Sequence, residues 1–409
     1  MRIIWITYFG SWTEPLAELV AGRGSLAVII PSDKTKMEIR SGITYYYIPY
    51  STQEATSNMT PQMFQKFKDI IDVFQPDIIH VHGTEKNPGQ IQRFLPTIPV
   101  VVSIQGLLMG CLPYTTNYVD EKDIRRFRTL KNWCGWGGLR CMEPIFRKGY
   151  TYEKDILEHN RYFFGRTYFD KAHIFLRNSK AHYYEGEEVL RDVFYQISGS
   201  WNLDDCCRHT IFMPSGFNPI KGMHLAIEAV HLLKSFYPDI RLYVPGVFPS
   251  ENSKKKLLSK ITGEEYIRYA FALVKQYHLE KNVIFLPRQT AEQMAEHMKR
   301  AHVFLAPSSI DNSPNAVGEA SMVGVPIVTT PVGGIPSFLH DGKAALLSPA
   351  GDAFMLAFNI KRIFDDDSLA TMLSKNAHQV ALRRHDKKLI CKQYVDSYQQ
   401  IISIHKSNK

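Results

Sequence analysis

Short apolar runs of strand length recur along the first half of the chain and alternate with segments of helical periodicity. The runs occupy residues 3–8, 27–30, 45–48, 76–83 and 100–106, and residues 172–176 add a further candidate strand. Strands covered on both faces read as continuous apolar runs, whereas strands with one wet face alternate apolar and polar residues. The pattern therefore predicts a parallel sheet with helices on both faces.

A second alternation of the same kind begins near Thr210. Its apolar runs occupy residues 211–213, 242–246, 283–286, 303–306 and 326–329, with an amphipathic helical segment at 223–235. The predicted fold class is thus α/β, with two Rossmann-like, doubly wound parallel-sheet domains. We place these domains at residues 1–205 and 206–386, with an insertion at about 107–150. A last helix at 387–409 either packs on the second domain or crosses back to the first.

Ligands of open parallel sheets bind beyond the carboxyl ends of the strands. Two such domains facing each other across a cleft would place the site in that cleft. The loops that follow the strands are therefore the segments in which we look for chemistry.

Length and composition fit two domains, each with its own buried core. The chain has 409 residues, of which 44% are hydrophobic and 22% charged, and these values argue against disorder. No apolar stretch approaches the roughly 20 residues of a membrane-spanning helix, and no cleavage site follows the first apolar run. We expect a cytoplasmic protein whose six cysteines, without a CxxC pair, are free thiols.

The net charge of +9 favours an anionic partner, which could be nucleic acid, a nucleoside diphosphate or an acidic membrane surface. Basic and aromatic residues concentrate between positions 122 and 148. This segment is either an ordinary solvated surface or a patch that contacts lipid headgroups at the inner face of the cell membrane. No nucleic-acid motif accompanies the basic residues, so we do not expect nucleic acid as a partner.

The densest signal for chemistry is the segment 307–328, which follows a predicted strand and enters a helix at about Asn315. The start of a helix presents unpaired N–H groups and the positive end of the helix dipole, and so favours phosphate. Seven residues separate Asp311 in the loop from Glu319 in the helix, so both carboxylates can face the cleft. The alternative is that Asp311 caps the loop and Glu319 lies on the helix surface.

This segment resembles the signature of the retaining family 4 glycosyltransferases, which have the two-domain GT-B fold. In that family a loop acid and a helix Glu flank seven residues, and Asp311 stands where the family usually has Glu. The resemblance implies that Asp311 lies beside the transferred sugar and that Glu319 binds the ribose hydroxyls of the donor. It also implies that the amides around Ser313, Asn315 and Ala316 bind the sugar hydroxyls and the diphosphate.

Two further segments resemble the donor-binding motifs of the family. Lys221 matches the lysine of its phosphate loop, which offsets the charge of the departing diphosphate; taken alone, it would be an exposed lysine at a helix start. Gly216 stands where many members have Arg, so that Arg288 is a candidate second cation, although in the family that position lies nearer the base. Gly333 and Gly334 match a closing motif in which backbone comes close to the nucleotide-sugar.

The first domain carries weaker matches. Gly10 matches the glycine of the family's mobile first loop. Gln105 occupies a strand end where the family often has a His that touches the donor sugar, and Gln can hydrogen-bond there without taking a proton. Arg166 resembles a cleft residue that contacts phosphate or acceptor in one branch of the family; the alternative is an ion pair with a neighbouring acid.

Two histidines end the predicted strand near position 80. Alternation along a strand places His80 and His82 on one face, with His82 closer to the strand end. We therefore predict that His82 belongs to the site, with Glu85 on the acceptor side, and that His80 is packed in the core. A zinc site made from the pair would lack further ligands.

The resemblance implies a hexosyltransferase that moves a sugar from a nucleoside-diphosphate sugar to an acceptor hydroxyl with retention of configuration. Neither a metal nor another cofactor is expected. The implied acceptor is a saccharide or lipid-linked saccharide of a surface or exopolysaccharide, which would suit an anionic membrane surface as partner. The rival hypotheses are a sugar-nucleotide epimerase or glycosyl phosphorylase of the same fold, and a non-catalytic carbohydrate-binding or scaffold subunit.

Overall fold

The computed structural model describes residues 1–8, 13–128, 139–140, 142–246 and 265–407, and the chain divides into two compact units. The first comprises Met1–Cys111, Ile145–Arg191 and Arg384–Lys409, and the second comprises Leu112–Pro144 and Asp192–Arg383. The described residues of 112–144, together with residues 192–205, were assigned to the first domain in the sequence but belong to the second unit. The last helix lies in the first unit.

The first unit contains an eight-stranded sheet in the order β3-β4-β2-β1-β5-β6-β7-β8. Its strands are β1 (Arg2–Ile6), β2 (Ser25–Ser32), β3 (Lys36–Arg40), β4 (Ile43–Pro49), β5 (Ile78–His82), β6 (Val100–Ser103), β7 (Tyr162–Gly165) and β8 (His182–Glu185). All neighbours pair in parallel except β3 with β4. The central strands β1, β5 and β6 are buried along almost their whole length, as their continuous apolar runs predict.

Helices surround this sheet. They span Thr13–Ala21, Thr52–Ala55, Pro61–Phe74, Leu108–Cys111, Met142–His159, Tyr168–Phe175 and Lys387–Ser407, with a 3₁₀ segment at Asn87–Phe94. The last helix packs on the sheet through Tyr398, whose hydroxyl accepts a hydrogen bond from Trp5 Nε1 at 3.1 Å and lies 2.6 Å from Nδ1 of His80. Among the described residues, no helix is both long and apolar enough to cross a membrane.

The predicted strand at 172–176 is wrong, because these residues lie in and just after the helix Tyr168–Phe175. A capping box starts that helix: the Thr167 side chain accepts from the Asp170 amide, and the Asp170 side chain accepts from the Thr167 amide. These two bonds satisfy N–H groups that a helix start otherwise leaves open. The sheet continues instead with β7 and β8, on either side of the helix in sequence.

The second unit contains a six-stranded parallel sheet in the order β11-β10-β9-β12-β13-β14. Its strands are β9 (Cys207–Phe212), β10 (Arg241–Pro245), β11 (Val283–Leu286), β12 (Ala301–Ala306), β13 (Ile327–Thr329) and β14 (Leu346–Leu347). Its helices are Glu121–Arg126, Asp192–Gln196, Met223–Leu233, Glu265–Gln276, Ala291–Arg300, Asn315–Val323, Ala353–Asp365 and Asp367–Arg384. Short 3₁₀ turns occur at Leu112–Tyr114, Pro219–Lys221 and Ile335–Ser337.

Three adjacent strands position the chemistry of the second unit. β9, β12 and β13 are neighbours and parallel, so the loops after them, 213–222, 307–314 and 330–334, leave the same edge of the sheet. The predicted helices that begin near Met223 and Asn315 follow the first two of these loops and are confirmed.

Candidate functional site

Lys221 and Asp311 form an ion pair at this edge of the second sheet. Lys221 ends the 3₁₀ turn after β9, Asp311 lies in the loop after β12, and Lys221 Nζ is 2.5 Å from Asp311 Oδ2. The side chains are 38% and 16% exposed, so the pair is accessible without being fully solvated. Lys221 is thus held beside the loop acid, which the alternative of a freely exposed lysine does not predict.

The helix Asn315–Val323 begins immediately after the Asp311 loop. Pro314 occupies its N-cap position and makes no side-chain cap hydrogen bond, so capping by that residue does not satisfy the first N–H groups. Ser313, Asn315 and Ala316 are half-buried around this helix start. The positive end of the helix dipole favours an anion there.

Glu319 lies one turn further along the same helix and is only 4% exposed. The alternative of an ordinary surface residue therefore does not hold. A buried carboxylate is costly unless polar groups interact with it. Its burial in the helix that follows Asp311 is consistent with a specific role.

The two glycines after β13 hold the Asp311 loop in place. Gly334 N donates to the carbonyl oxygen of Asp311 at 2.9 Å. Gly333 adopts φ +53°, and a Cβ at this position would overlap the same carbonyl oxygen. A residue without a side chain is therefore required where this backbone passes Asp311.

We expect Gly333→Ala to lower the activity that the resemblance implies by about 10-fold or more, because the added Cβ must displace the backbone of Asp311. Gly342→Ala is the matched control: Gly342 also has a left-handed backbone, φ +68°, but nothing lies within 4 Å of its Cβ position. Both variants carry the roughly 1–2 kcal/mol conformational cost of that backbone, which thermal melting measures. Equal activities of the two variants would contradict a role for Gly333 in placing Asp311.

Gly216 and Arg288 are placed differently from Lys221. A Cβ at Gly216 would lie 2.6 Å from Met223 Sδ and 2.8 Å from Val244 Cγ1, so this position is filled by packing and leaves no room for a side chain. Arg288 is exposed and follows the edge strand β11, with β10 between that strand and β9. The fold therefore does not bring Arg288 to the ion pair through neighbouring strands.

A separate pocket lies in the first unit, with a cavity volume of 310 Å³. It brings together three of the predicted residues, His82, Glu85 and Gln105. Tyr8 and Lys86 also line it and were missed in the sequence. Gly10 lies outside the described residues, although Tyr8 comes shortly before it in the chain.

Burial shifts the pKa values of the polar side chains that line the pocket. Burial lowers the pKa of His82 to about 3, so its imidazole is neutral at neutral pH. Burial raises the pKa of Glu85, whose carboxylate accepts a hydrogen bond from Gly106 N at 2.6 Å. Lys86 Nζ lies 3.5 Å from the centroid of the Tyr8 ring, and burial lowers its pKa. The pocket thus offers a neutral imidazole, a carboxyl group and a lysine side chain to a polar ligand.

His80 is packed, as predicted. Its Nδ1 lies 2.6 Å from the Tyr398 hydroxyl and its Nε2 lies 2.6 Å from Ser103 Oγ. The rings of His80 and His82 are 3.9 Å apart, which confirms that they share a face. In the part of the chain that the structure describes, no three His, Cys, Asp or Glu residues are grouped as metal ligands.

Arg166 forms an ion pair with Glu188, as the alternative hypothesis held. Its Nη1 lies 2.6 Å from Glu188 Oε1, and the two side chains are only 4% and 3% exposed. Its Nη2 donates to Gln105 Oε1 at 3.2 Å. Arg166 therefore orients the side chain of Gln105. Because the guanidinium is buried, little of its surface is accessible to an acceptor.

Comparison with known proteins finds a family match within the second unit. Residues 208–380 match the family model of glycosyl transferases group 1. The chain is 31% identical over 170 residues to WcaL of Salmonella typhimurium, a protein assigned to colanic acid biosynthesis as a glycosyltransferase. That stretch covers 39% of the chain and 38% of WcaL, so the chain spans well under half of this relative.

Two solved structures match nearly the whole chain. Sucrose-phosphate synthase from Thermosynechococcus elongatus has a TM-score of 0.73 at 18% identity, over 98% of this chain and 99% of that one. HepE from Anabaena, in complex with UDP and glucose, has a TM-score of 0.63 at 13% identity, over 98% and 99%. At such identities the likeness shows the fold, which is GT-B with two Rossmann-like domains.

Proposed function

We propose, from the premise that residues 208–380 match the family model of glycosyl transferases group 1, that this chain is a retaining glycosyltransferase. It takes a hexose from a nucleoside-diphosphate sugar and transfers it to an acceptor hydroxyl. The observation that carries the proposal is the Lys221–Asp311 pair beside the start of the Glu319 helix. A cation, an acid and a helix start occur together, and a sugar diphosphate could interact with all three.

The second unit binds the donor in this proposal. Lys221 and the positive end of the helix Asn315–Val323 face the diphosphate, whose negative charge grows as the bond to the sugar breaks. Because that charge is greatest in the transition state, these groups accelerate the reaction rather than only binding the donor. They do so without a metal ion. Glu319 accepts hydrogen bonds from the ribose, and Asp311 lies beside the sugar.

The pocket of the first unit binds the acceptor. Neutral His82, Glu85 and Gln105 can each hydrogen-bond to sugar hydroxyls, and Lys86 adds a donor. The bond between the anomeric carbon and the diphosphate oxygen breaks, and a bond to the acceptor oxygen forms on the same face. The acceptor proton passes to the departing phosphate oxygen, so no protein nucleophile is required.

The chemistry of the relatives narrows the choice of substrates. HepE binds UDP and glucose, and WcaL is assigned to the synthesis of a polysaccharide. A nucleotide-sugar donor and a saccharide or lipid-linked saccharide acceptor in surface polysaccharide synthesis follow by analogy. A lipid-linked acceptor would place the reaction in the cytoplasm, at the anionic inner face of the membrane.

A panel of donors tests the proposal. Purified protein is incubated with UDP-, GDP- and ADP-sugars, with and without detergent-solubilised saccharide-lipid acceptors, and released nucleotide is measured. We expect acceptor-dependent release with one donor, and an unchanged anomeric configuration of the product by NMR. Binding of a donor without turnover across the acceptors would instead support a scaffold subunit. An inverted product would rule out retention.

A further inference from the structure

We propose that Asn117 is a positioning residue, which sets the placement of Lys221 and Asp311 through the backbone of their loops. The inference rests on the proposed function and extends it to a segment of the chain distant in sequence from both residues. Residues 112–118, here called the clasp, follow β6 in sequence but belong to the second unit. No sequence motif in this segment indicated a role for it.

The side chain of Asn117 bridges the two loops. Its amide nitrogen lies 2.9 Å from Pro219 O, 3.3 Å from Ile220 O and 3.4 Å from Pro307 O. The first two carbonyls immediately precede Lys221, and the third begins the loop that leads to Asp311. Asn117 is 1% exposed, so water cannot readily replace these bonds.

The two loops meet closely at this point. Gly222, next to Lys221, adopts φ +78°, and a Cβ there would overlap Pro307 O and approach the Asn117 amide nitrogen to 2.9 Å. Ser309 N also donates to Ile220 O at 2.9 Å. Asn117 thus donates to backbone carbonyls at the point where the Lys221 turn and the Asp311 loop are in contact.

Asn117 is itself held in one orientation. It adopts a left-handed backbone, φ 48°, which asparagine tolerates better than most residues. Its carbonyl oxygen accepts a hydrogen bond from His224 Nε2 at 3.0 Å, and His224 Nδ1 accepts from the Tyr266 hydroxyl at 2.9 Å. Because a carbonyl can only accept, the proton of His224 lies on Nε2. Burial lowers the pKa of His224 to about 4, so this neutral arrangement persists at neutral pH.

A second bond of the clasp reaches the same loop. Ser309 Oγ donates to the carbonyl oxygen of Tyr114 at 2.8 Å. The clasp therefore contacts the Asp311 loop at Pro307 and Ser309 and the Lys221 turn at Pro219 and Ile220. Displacements of about 1 Å at reacting groups can cost 10²-fold in rate, so the bridge acts on catalysis without touching substrate.

The variant that tests this is Asn117→Gly, because glycine keeps the left-handed backbone without strain and removes only the amide. The matched control is Asn178→Ala. Asn178 is another buried asparagine whose side chain donates to two backbone carbonyls, Leu157 O at 3.0 Å and Asn160 O at 2.7 Å, but it lies in the first unit. Each variant loses a comparable set of bonds, so thermal melting compares their stabilities directly.

We expect Asn117→Gly to lower kcat about 10–100-fold with the acceptor KM little changed, whereas Asn178→Ala keeps the kcat of wild type. Hydrogen exchange by mass spectrometry provides a readout independent of activity. Peptides that cover 216–222 and 307–313 should exchange faster in Asn117→Gly only.

The outcomes separate the two proposals. Wild-type turnover with unchanged kcat and unchanged exchange in Asn117→Gly would overturn the positioning role alone. Absence of wild-type turnover with every donor would overturn the proposed function, and the exchange data would still decide whether Asn117 orders the two loops. Faster exchange throughout the second unit would show a general structural role and would also overturn positioning.

Discussion

Lys221→Ala is expected to abolish most of the transfer activity, with kcat about 10²–10³-fold lower, the usual cost of removing one preorganised charge or donor at a transition state. The ammonium group is the cation that the structure holds against Asp311. Without it, the growing charge of the diphosphate faces the Asp311 carboxylate with less compensation. The measurement is kcat at saturating donor and acceptor, with the donor found in the panel above.

Lys281→Ala is the control for this variant, because Lys281 is an exposed lysine of the same unit and its loss should leave kcat unchanged. Lys221→Arg keeps the charge but alters its placement, and should retain part of the activity. Wild-type kcat in Lys221→Ala would show that the lysine serves only the Asp311 loop, and the mechanism proposed for the diphosphate would fail.

Glu319→Gln is expected to raise the donor KM about 10–100-fold, since hydrogen bonds to a charged group contribute about 1.5–3 kcal/mol each. The change is nearly isosteric, which matters because the side chain is buried. It removes the charge that the ribose hydroxyls would meet. Calorimetric titration with the nucleoside diphosphate of the donor found in the panel above, and with its dideoxyribose analogue, measures the change in affinity.

Wild-type protein should prefer the nucleoside diphosphate to its dideoxy analogue. This preference should be smaller in Glu319→Gln, because a neutral amide oxygen accepts a weaker hydrogen bond than a carboxylate. Glu265→Gln is the matched control: Glu265 is also buried in the second unit, but its carboxylate accepts a hydrogen bond from the backbone of Leu139. If Glu265→Gln and Glu319→Gln changed the affinity for that nucleoside diphosphate equally, the ribose contact assigned to Glu319 would be wrong.

Much of the fold of the second unit could be predicted from its pattern of apolar and polar residues. Continuous apolar runs marked the central strands, and parallel strands send their following loops to one edge. That rule predicts that the loop of Asp311 and the turn of Lys221 leave the same edge of the sheet, although 90 residues separate the two residues. Their contact depends on the pairing of β9 with β12, which the sequence pattern does not show. The Lys221–Asp311 ion pair forms at the edge of the sheet where the loops were expected.

Other features of the structure had no comparable signal in the sequence. Asn117 lies in a segment without periodicity, and its partners are backbone atoms far along the chain. The partner of Arg166 could not be chosen among the neighbouring acids, because Glu188 follows a further strand. The helix at Tyr168–Phe175 was predictable in principle, since Thr167 and Asp170 have the spacing of a capping box.

The path of the chain between the units limits how this chain can be recombined with its relatives. The chain enters the second unit at residue 112, leaves it after 144, returns at 192 and leaves again after 383. A chimera joined once near residue 205, to exchange donor preference, would inherit the clasp from one parent and the loops it bridges from the other. Functional hybrids should therefore require that residues 112–144 be transplanted together with 192–383.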